Sequence, residues 1–114
     1  MATNLRNQGL TMQITAAADL VSGALVIVGN TAAVCIHNIA DTKTGTAAIE
    51  GVWELPKDAA AADKALAQGA KVYWNATTGK VEAAAGAGLV AIGIAYEAAL
   101  TNATTCLVKI NVGI

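Results

Sequence analysis

The chain has 114 residues, of which seven are basic and eight acidic, and its net charge is −1. This length corresponds to one domain, and the scattered lysines provide no basic face of the kind that nucleic-acid binding requires. Only 13% of the residues are charged, which is low for the surface of a free monomer. This low fraction indicates a protein whose surface is largely covered by partner proteins.

The core of this protein must be small. Hydrophobic residues make up 55% of the chain, but 27 residues are Ala and none is Phe, so the volume must come mainly from 28 Val, Ile and Leu residues. Apolar surface buried against a neighbour contributes roughly 25 cal/mol per Å², before the costs of association are subtracted. We therefore expect a homo-oligomer.

Residues 2–9 are polar and rich in Asn and Gln, and Leu5 is their only large apolar side chain. We interpret them as an N-terminal arm that docks on a neighbour, because termini are ordered only when something holds them. A single β domain over residues 10–114 is expected to follow. The arm lacks the apolar run of a secretion signal, so we expect synthesis in the cytoplasm.

Alternating apolar and polar residues predict a strand over residues 10–15. Residues 20–40 carry no charge, yet polar turn sequences interrupt them, which argues against a membrane span. A β-hairpin over residues 21–37 fits better, with Gly29 and Asn30 at its turn. Both of its strands are apolar on both faces, so we expect both to be central.

Residues 46–55 alternate in the same way and predict one strand, which Pro56 should end. Residues 58–68 form the single predicted helix, because Asp58 can cap the first turn and Ala is the best helix former. Leu66 is the one large apolar residue of this segment. The helix is therefore expected to lie loosely on the surface.

Residues 69–80 predict a second β-hairpin with a tight turn at residues 75–79. Val72 and Trp74 fall on one face of its first strand, and Lys71 and Tyr73 on the other. Four large side chains of this strand and of the strand that Pro56 ends are predicted to anchor the core: Trp53, Leu55, Val72 and Trp74.

The last two predicted strands cover residues 89–96 and 104–112. The first should present one apolar face, formed by Val90, Ile92, Ile94 and Tyr96. The second should direct Cys106, Val108, Ile110 and Val112 inward and Leu107, Lys109 and Asn111 outward. Short strands at regular spacing predict a mainly β fold, namely a compact antiparallel β-barrel or β-sandwich with one short surface helix at about 58–68.

Groups that could carry catalysis are scarce. His37 lies in an apolar strand and is interpreted as a packed residue, and Glu50 and Glu54 as solvated carboxylates. Cys35 and Cys106 are predicted to be buried without a disulfide. No metal-ligand spacing and no Gly-x-x-x-x-Gly-Lys phosphate loop occurs. We expect no enzyme activity, no catalytic or metal site, and no cofactor.

Four stretches of the chain resemble the tailed-phage capsid cement, or head decoration, proteins. They are VSGALVIVG at residues 21–29, EGVWELPK at 50–57, GAKVYWN at 69–75 followed by TGK at 78–80, and IGIA at 92–95. The likeness runs over almost the whole chain. Some members of this group carry a recombinase-like label, which a chain without a phosphate loop does not support.

The resemblance implies a structural virion protein that binds the outer surface of the expanded head and bridges capsomers. Its partners would be the major capsid protein and further copies of itself, with a trimer preferred over a dimer, and neither nucleic acid nor a membrane. The arm would form the capsid interface, with Arg6 paired to a capsid carboxylate. The interface residues are Ala2, Thr3, Asn4, Leu5, Arg6, Asn7 and Gln8.

The alternative is a small β-rich ligand- or glycan-binding module that uses Trp53, Tyr73 and Trp74 as a platform. Aromatic rings on a β surface can stack on sugars, but the two Trp residues share their strand faces with Leu55 and Val72. That arrangement favours core packing.

Overall fold

A computed structural model describes residues 9–59 and 65–113 of the chain. The described residues form nine strands in two antiparallel sheets, with strand orders β1-β4-β3-β2 and β5-β9-β8-β6-β7. In chain order the strands are β1 (Thr11–Thr15), β2 (Leu25–Val28), β3 (Thr31–Cys35), β4 (Thr44–Ala48), β5 (Val52–Pro56), β6 (Lys71–Asn75), β7 (Lys80–Glu82), β8 (Leu89–Ala95) and β9 (Thr105–Ile110).

The main core lies between the two sheets. Neither sheet closes into a barrel, so the architecture is a β-sandwich, one of the two predicted forms. The first sheet contributes Leu25, Ala32 and Val34 to this core. The second sheet contributes Leu55, Val72, Trp74, Val81, Ile92, Cys106, Val108 and Ile110. The predicted mainly β, antiparallel fold class is confirmed.

A second core covers the other face of the first sheet. There Ala33, Cys35 and Ala47 pack with Ile14 and with Ile39 from the loop after β3. The hairpin β2–β3 is confirmed, and β3 is central with both faces buried. The expectation that β2 is also central was wrong, because β2 is the edge strand of its sheet.

The segment that was predicted as one strand over residues 46–55 forms two strands in different sheets. β4 ends at Ala48 and β5 begins at Val52. Between them Gly51 adopts a φ of +108°, a backbone conformation that favours glycine. The chain therefore crosses between sheets at this point. Pro56 is the last residue of β5, where an edge strand tolerates the missing N–H.

The predicted helix falls partly on residues 60–64, which lie outside the described residues. Its flanks, 58–59 and 65–68, are not helical. Leu66 instead forms a β-bridge with Ala99, with N–H···O distances of 2.8 and 2.9 Å. The side chain of Leu66 is only 3% exposed. The expectation of a loose surface segment was therefore wrong at Leu66, because tertiary pairing outweighs helix propensity there.

A β-bulge alters the predicted inward face of β8. Val72 pairs with Gly93, whereas Tyr73 pairs with Ala91, so Ile92 is an extra residue on β8. Beyond this bulge the alternation shifts, and Ala95 joins Ile92 in the core. The predicted single apolar face was wrong at its end, because Tyr96 is 50% exposed.

The hairpin β6–β7 has the predicted arrangement, with Trp74 opposite Val81 and Asn75 opposite Lys80. The Asn75 side chain closes the turn by accepting hydrogen bonds from the N–H groups of Thr77 and Thr78, at 3.0 and 3.3 Å. The hairpin therefore places Trp74 in the core.

Candidate functional site

The residues predicted to contact the capsid, Ala2 to Gln8, lie outside the described residues. The described chain begins at Gly9, which borders a cleft of about 570 Å³ between the two sheets. Glu50 and Lys109 line this cleft with exposed side chains. The described part of the chain thus begins beside a cleft that is lined by one acidic and one basic side chain.

Asn111 forms a clamp between the two sheets at the floor of this cleft. Its Oδ1 accepts the N–H of Ala32 at 2.9 Å, and its Nδ2 donates to the carbonyls of Ala32 at 2.8 Å and Ile49 at 2.7 Å. Ala32 belongs to β3, and Asn111 directly follows β9. Strand β4 pairs with Val34 and Cys35 of β3 but does not extend as far as Ala32. The Asn111 side chain therefore forms the hydrogen bonds that a neighbouring strand would otherwise give to Ala32.

Sequence reasoning missed this clamp and expected Asn111 to face outward on β9. The residue instead adopts a φ of +63°, which ends the strand and turns the amide inward. An Asn just after an alternating strand is compatible with this conformation, because Asn enters the left-handed region more readily than most residues. The position of this Asn just after the alternating residues was therefore the signal in the sequence that could have indicated the clamp.

The aromatic residues of the alternative hypothesis do not form a platform. Trp74 is buried in the core, and its strand neighbour Tyr73 projects from the opposite face of β6. Trp53 is half-buried against the core, and its Nε1–H donates to the Glu50 carbonyl at 3.0 Å. Leu55 and Val72 are buried beside them. The arrangement supports packing and not sugar stacking.

His37 lies just beyond β3 and is exposed, so the expectation of a packed position inside an apolar strand was wrong. Its Nε2 accepts the N–H of Thr46 at 3.2 Å, and its Nδ1 lies 3.0 Å from the Asn38 carbonyl oxygen. Both ring nitrogens therefore bond to backbone groups, with Nδ1 as the donor. Glu50 and Glu54 are exposed, as expected of solvated carboxylates.

Lys57 is a buried cation that sequence reasoning did not single out. It is 2% exposed, and its Nζ donates to the carbonyls of Asp58 at 3.1 Å and Thr101 at 3.0 Å. Every buried side-chain nitrogen and oxygen in the described ranges has a hydrogen-bond partner. The buried polar groups therefore serve the scaffold.

Both cysteines are buried free thiols, as predicted. Burial raises the pKa of the Cys35 thiol. Burial also raises the pKa of the Cys106 thiol to about 11, although the Lys57 charge offsets part of the increase. Because the thiolate is the nucleophile, neither cysteine is poised for chemistry.

The Cys106 thiol makes stability depend on pH at alkaline values. Its folded-state pKa is raised, so its contribution is complete below pH 9.0, the value for an unperturbed thiol, and is lost as the pH rises toward about 11. We expect the free energy of unfolding to fall more steeply over this interval in the wild type than in Cys106→Ala. Urea unfolding at several pH values under reducing conditions measures both slopes, and equal slopes would contradict the assignment.

Within residues 9–59 and 65–113, no group of three or more His, Cys, Asp or Glu side chains is placed to hold a metal ion. No helix in that part of the chain is long and apolar enough to cross a membrane. What the described surface does carry is a set of exposed large apolar side chains: Leu10, Val21, Val28, Ile36, Val52, Tyr96 and Leu100.

Comparison with known proteins identifies a protein family. A family model described as phage cement protein matches residues 6–110, which is nearly the whole chain. No curated protein and no solved structure matches the chain. The match spans both sheets and therefore covers the fold as a unit, and the family implies a structural role in the virion capsid. The chain belongs to the phage cement protein family.

Proposed function

We propose that this protein binds the outer surface of the expanded phage head and bridges neighbouring capsomers, thereby stabilising the head. The observation that carries the proposal is the family match over residues 6–110. The structure is compatible with it, because the buried polar groups of the described ranges serve the fold and the exposed apolar side chains remain for binding. The protein would be made in the host cytoplasm before it assembles on the capsid.

Binding of this kind needs many modest contacts and no reaction. On a symmetric shell, contacts to several neighbours at once raise the overall affinity well beyond that of any single contact. Association between copies would bury further apolar surface, and we prefer a trimer over a dimer. Native mass spectrometry of the free protein measures its oligomeric state. If the free protein is a monomer at all concentrations, it can form oligomers only when it is bound to the capsid.

The proposed capsid interface is formed by residues 2–8 of the N-terminal arm. Its Asn and Gln side chains can hydrogen-bond to backbone groups, and Arg6 can pair with a capsid carboxylate. The base of the arm is firmly held, because the Ile49 N–H donates to the Leu10 carbonyl at 3.0 Å and the Ile49 carbonyl accepts from Asn111. These hydrogen bonds connect Leu10, where the arm joins the domain, to Ile49 and Asn111, and through them to both sheets.

Deletion of residues 2–9 is expected to abolish binding to expanded, undecorated heads while the domain still folds, because the single β domain is expected to begin at residue 10. Cosedimentation with heads and cryo-electron microscopy of the mixture measure occupancy, and urea unfolding checks the fold. Full occupancy by the truncated protein would refute the role of the arm.

Two charge substitutions test the predicted ion pair. Arg6→Gln is expected to weaken head binding, whereas Lys43→Gln, at an exposed loop position of the domain, should leave it unchanged. If the wild-type protein itself gives no ordered density on expanded heads, the proposed function is wrong. No specific observation favours the glycan-binding alternative.

A further inference from the structure

The β2 strand offers an open edge to the outside. Among the described strands β3 is its one hydrogen-bonded neighbour. Ala32 of β3 directs both its N–H and its C=O away from β2, toward Asn111. In an antiparallel pair, the residue opposite such a position also points its backbone groups away from its partner. Ile27 lies opposite Ala32, so the backbone groups of Ile27, and of Leu25 two residues earlier, face outward.

The edge at β2 has no charge and no proline, which are two of the features that protect edge strands from pairing. Its four residues, Leu25–Val28, are all aliphatic. Charges, prolines and short length normally prevent an edge from pairing with another chain. In the second sheet, edge strand β5 carries Glu54 and Pro56, and edge strand β7 is three residues long with Lys80 and Glu82. Edge strand β1 alternates Thr and Gln on its exposed face.

An apolar groove runs beside this edge. It has a volume of about 260 Å³ and is lined by the end of β1, by the loop that follows β1 and by β2. Val28 at its rim is 39% exposed, and Val21, just before β2, is 64% exposed. The lining is mainly aliphatic or alanine and includes Ile14, Ala16, Leu20, Val26 and Ile27. A strand added to β2 would thus place alternate side chains toward an apolar groove.

The size of the edge decides between two possible occupants. Four residues span about 13 Å, whereas a stable protein interface buries about 800 Å² on each partner. A second copy that pairs only through β2 would bury too little surface to hold a dimer in solution. An extended segment of the capsid protein can bind through a smaller buried area, because other contacts also hold the cement protein on the capsid.

We propose that β2 accepts an extended segment of the capsid protein as an additional antiparallel or parallel strand. This inference rests on the proposed function and adds a second contact to that of the arm. The recognised segment is uncharged and carries aliphatic residues at every second position, which face the groove beside Val26 and Val28. Backbone hydrogen bonds to Leu25 and Ile27 supply the rest of the contact.

A matched pair of lysine substitutions tests the contact. Val28→Lys places a charge at the groove rim of the β2 edge, and Gln13→Lys places the same charge at an exposed position of the β1 edge. We expect Val28→Lys to weaken binding to expanded heads on the order of tenfold or more, because a charge would have to be buried against an apolar partner. Gln13→Lys should bind like the wild type. Equal binding by both variants overturns the proposal.

Hydrogen exchange provides a readout that a merely destabilised variant would not reproduce. In the free wild-type protein the amides of Leu25 and Ile27 should exchange rapidly, whereas those of Val26 and Val28 are bonded to β3 and protected. After exchange on heads, dissociation and measurement by NMR, Leu25 and Ile27 should be selectively protected. Unchanged exchange at these two amides overturns the proposal.

The possible negative results can be distinguished from one another. If wild-type protein does not bind heads, the proposed function fails. If wild-type protein binds but Leu25 and Ile27 stay unprotected, the function stands and the β2 contact is wrong. If both amides are already protected in the free protein in a concentration-dependent way, a second copy occupies the edge and the capsid segment is excluded.

Discussion

Replacement of Gly93 by Ala is expected to lower the free energy of unfolding by about 4 kcal/mol or more, which is a large part of the roughly 5–15 kcal/mol that holds a domain folded. A Cβ at this position would overlap the carbonyl oxygen of Lys109 and would lie 3.0 Å from the Cα of Ile110. Both are backbone atoms of β9, which lies between β5 and β8. The clash therefore cannot be relieved by rotation of a side chain.

The backbone of Gly93 adds to this effect, because its φ of +156° favours glycine. Gly86→Ala is the matched control. Its Cβ would meet only the flexible side chain of Leu89, at 3.3 Å, and the residue is exposed in a loop. Urea unfolding followed by circular dichroism measures both variants. A wild-type midpoint for Gly93→Ala would show that β8 and β9 do not approach this closely.

Replacement of Asn111 by Ala is expected to lower the free energy of unfolding by about 3 kcal/mol, since unpaired buried polar groups cost about 1–3 kcal/mol each and the open cleft admits some water. The substitution removes all three bonds to the backbone of Ala32 and Ile49. Ala32 itself is 1% exposed. Because Asn111 joins the two sheets, its loss weakens their contact.

Asn111→Gly separates the hydrogen bonds from the backbone conformation. Glycine tolerates the φ of +63° but has no amide, so it should lose the hydrogen-bond contribution without the strain that Ala adds, a difference of about 1 kcal/mol. If both variants unfold at the wild-type urea concentration, the side chain does not connect the sheets.

Several parts of the fold could be predicted from local pattern alone. The hairpin β6–β7 was predictable because Val72 and Trp74 alternate with polar neighbours and Asn75 begins a turn. The hairpin β2–β3 was predictable from the Gly29-Asn30 turn between two apolar runs. Strands and turns of this kind depend on side chains that are close in sequence.

Other parts depended on partners far away in the chain. Leu66 is a good helix former by propensity, yet it pairs with Ala99, which is 33 residues later. The alternation over residues 46–55 continued through Gly51, although the chain changes sheets there. The local sequence around Leu66 looks like that of a helix, and the local sequence around Gly51 looks like that of a continuous strand. Neither the distant partner nor the change of sheet can therefore be recognised from neighbouring residues.

The candidate site shows the same division. A likeness spread over nearly the whole chain was visible in the sequence, and the family match over residues 6–110 agrees with it. The polar arm was recognisable by composition, but its contacts lie outside the described residues and stay a prediction. The open edge at β2 was not predicted, because two strands that are apolar on both faces look equally central in the sequence.

The sequence by itself thus determined the β class of the protein, its two hairpins, its buried cysteines and its family. Only the tertiary structure decided which strand lies at an edge, where Asn111 joins the two sheets, and how the bulge at Ile92 divides β8 between core and surface. The physical reason is that alternation and turn residues act over a few neighbouring positions. Strand order and inter-sheet hydrogen bonds depend on residues that are brought together only when the whole chain folds.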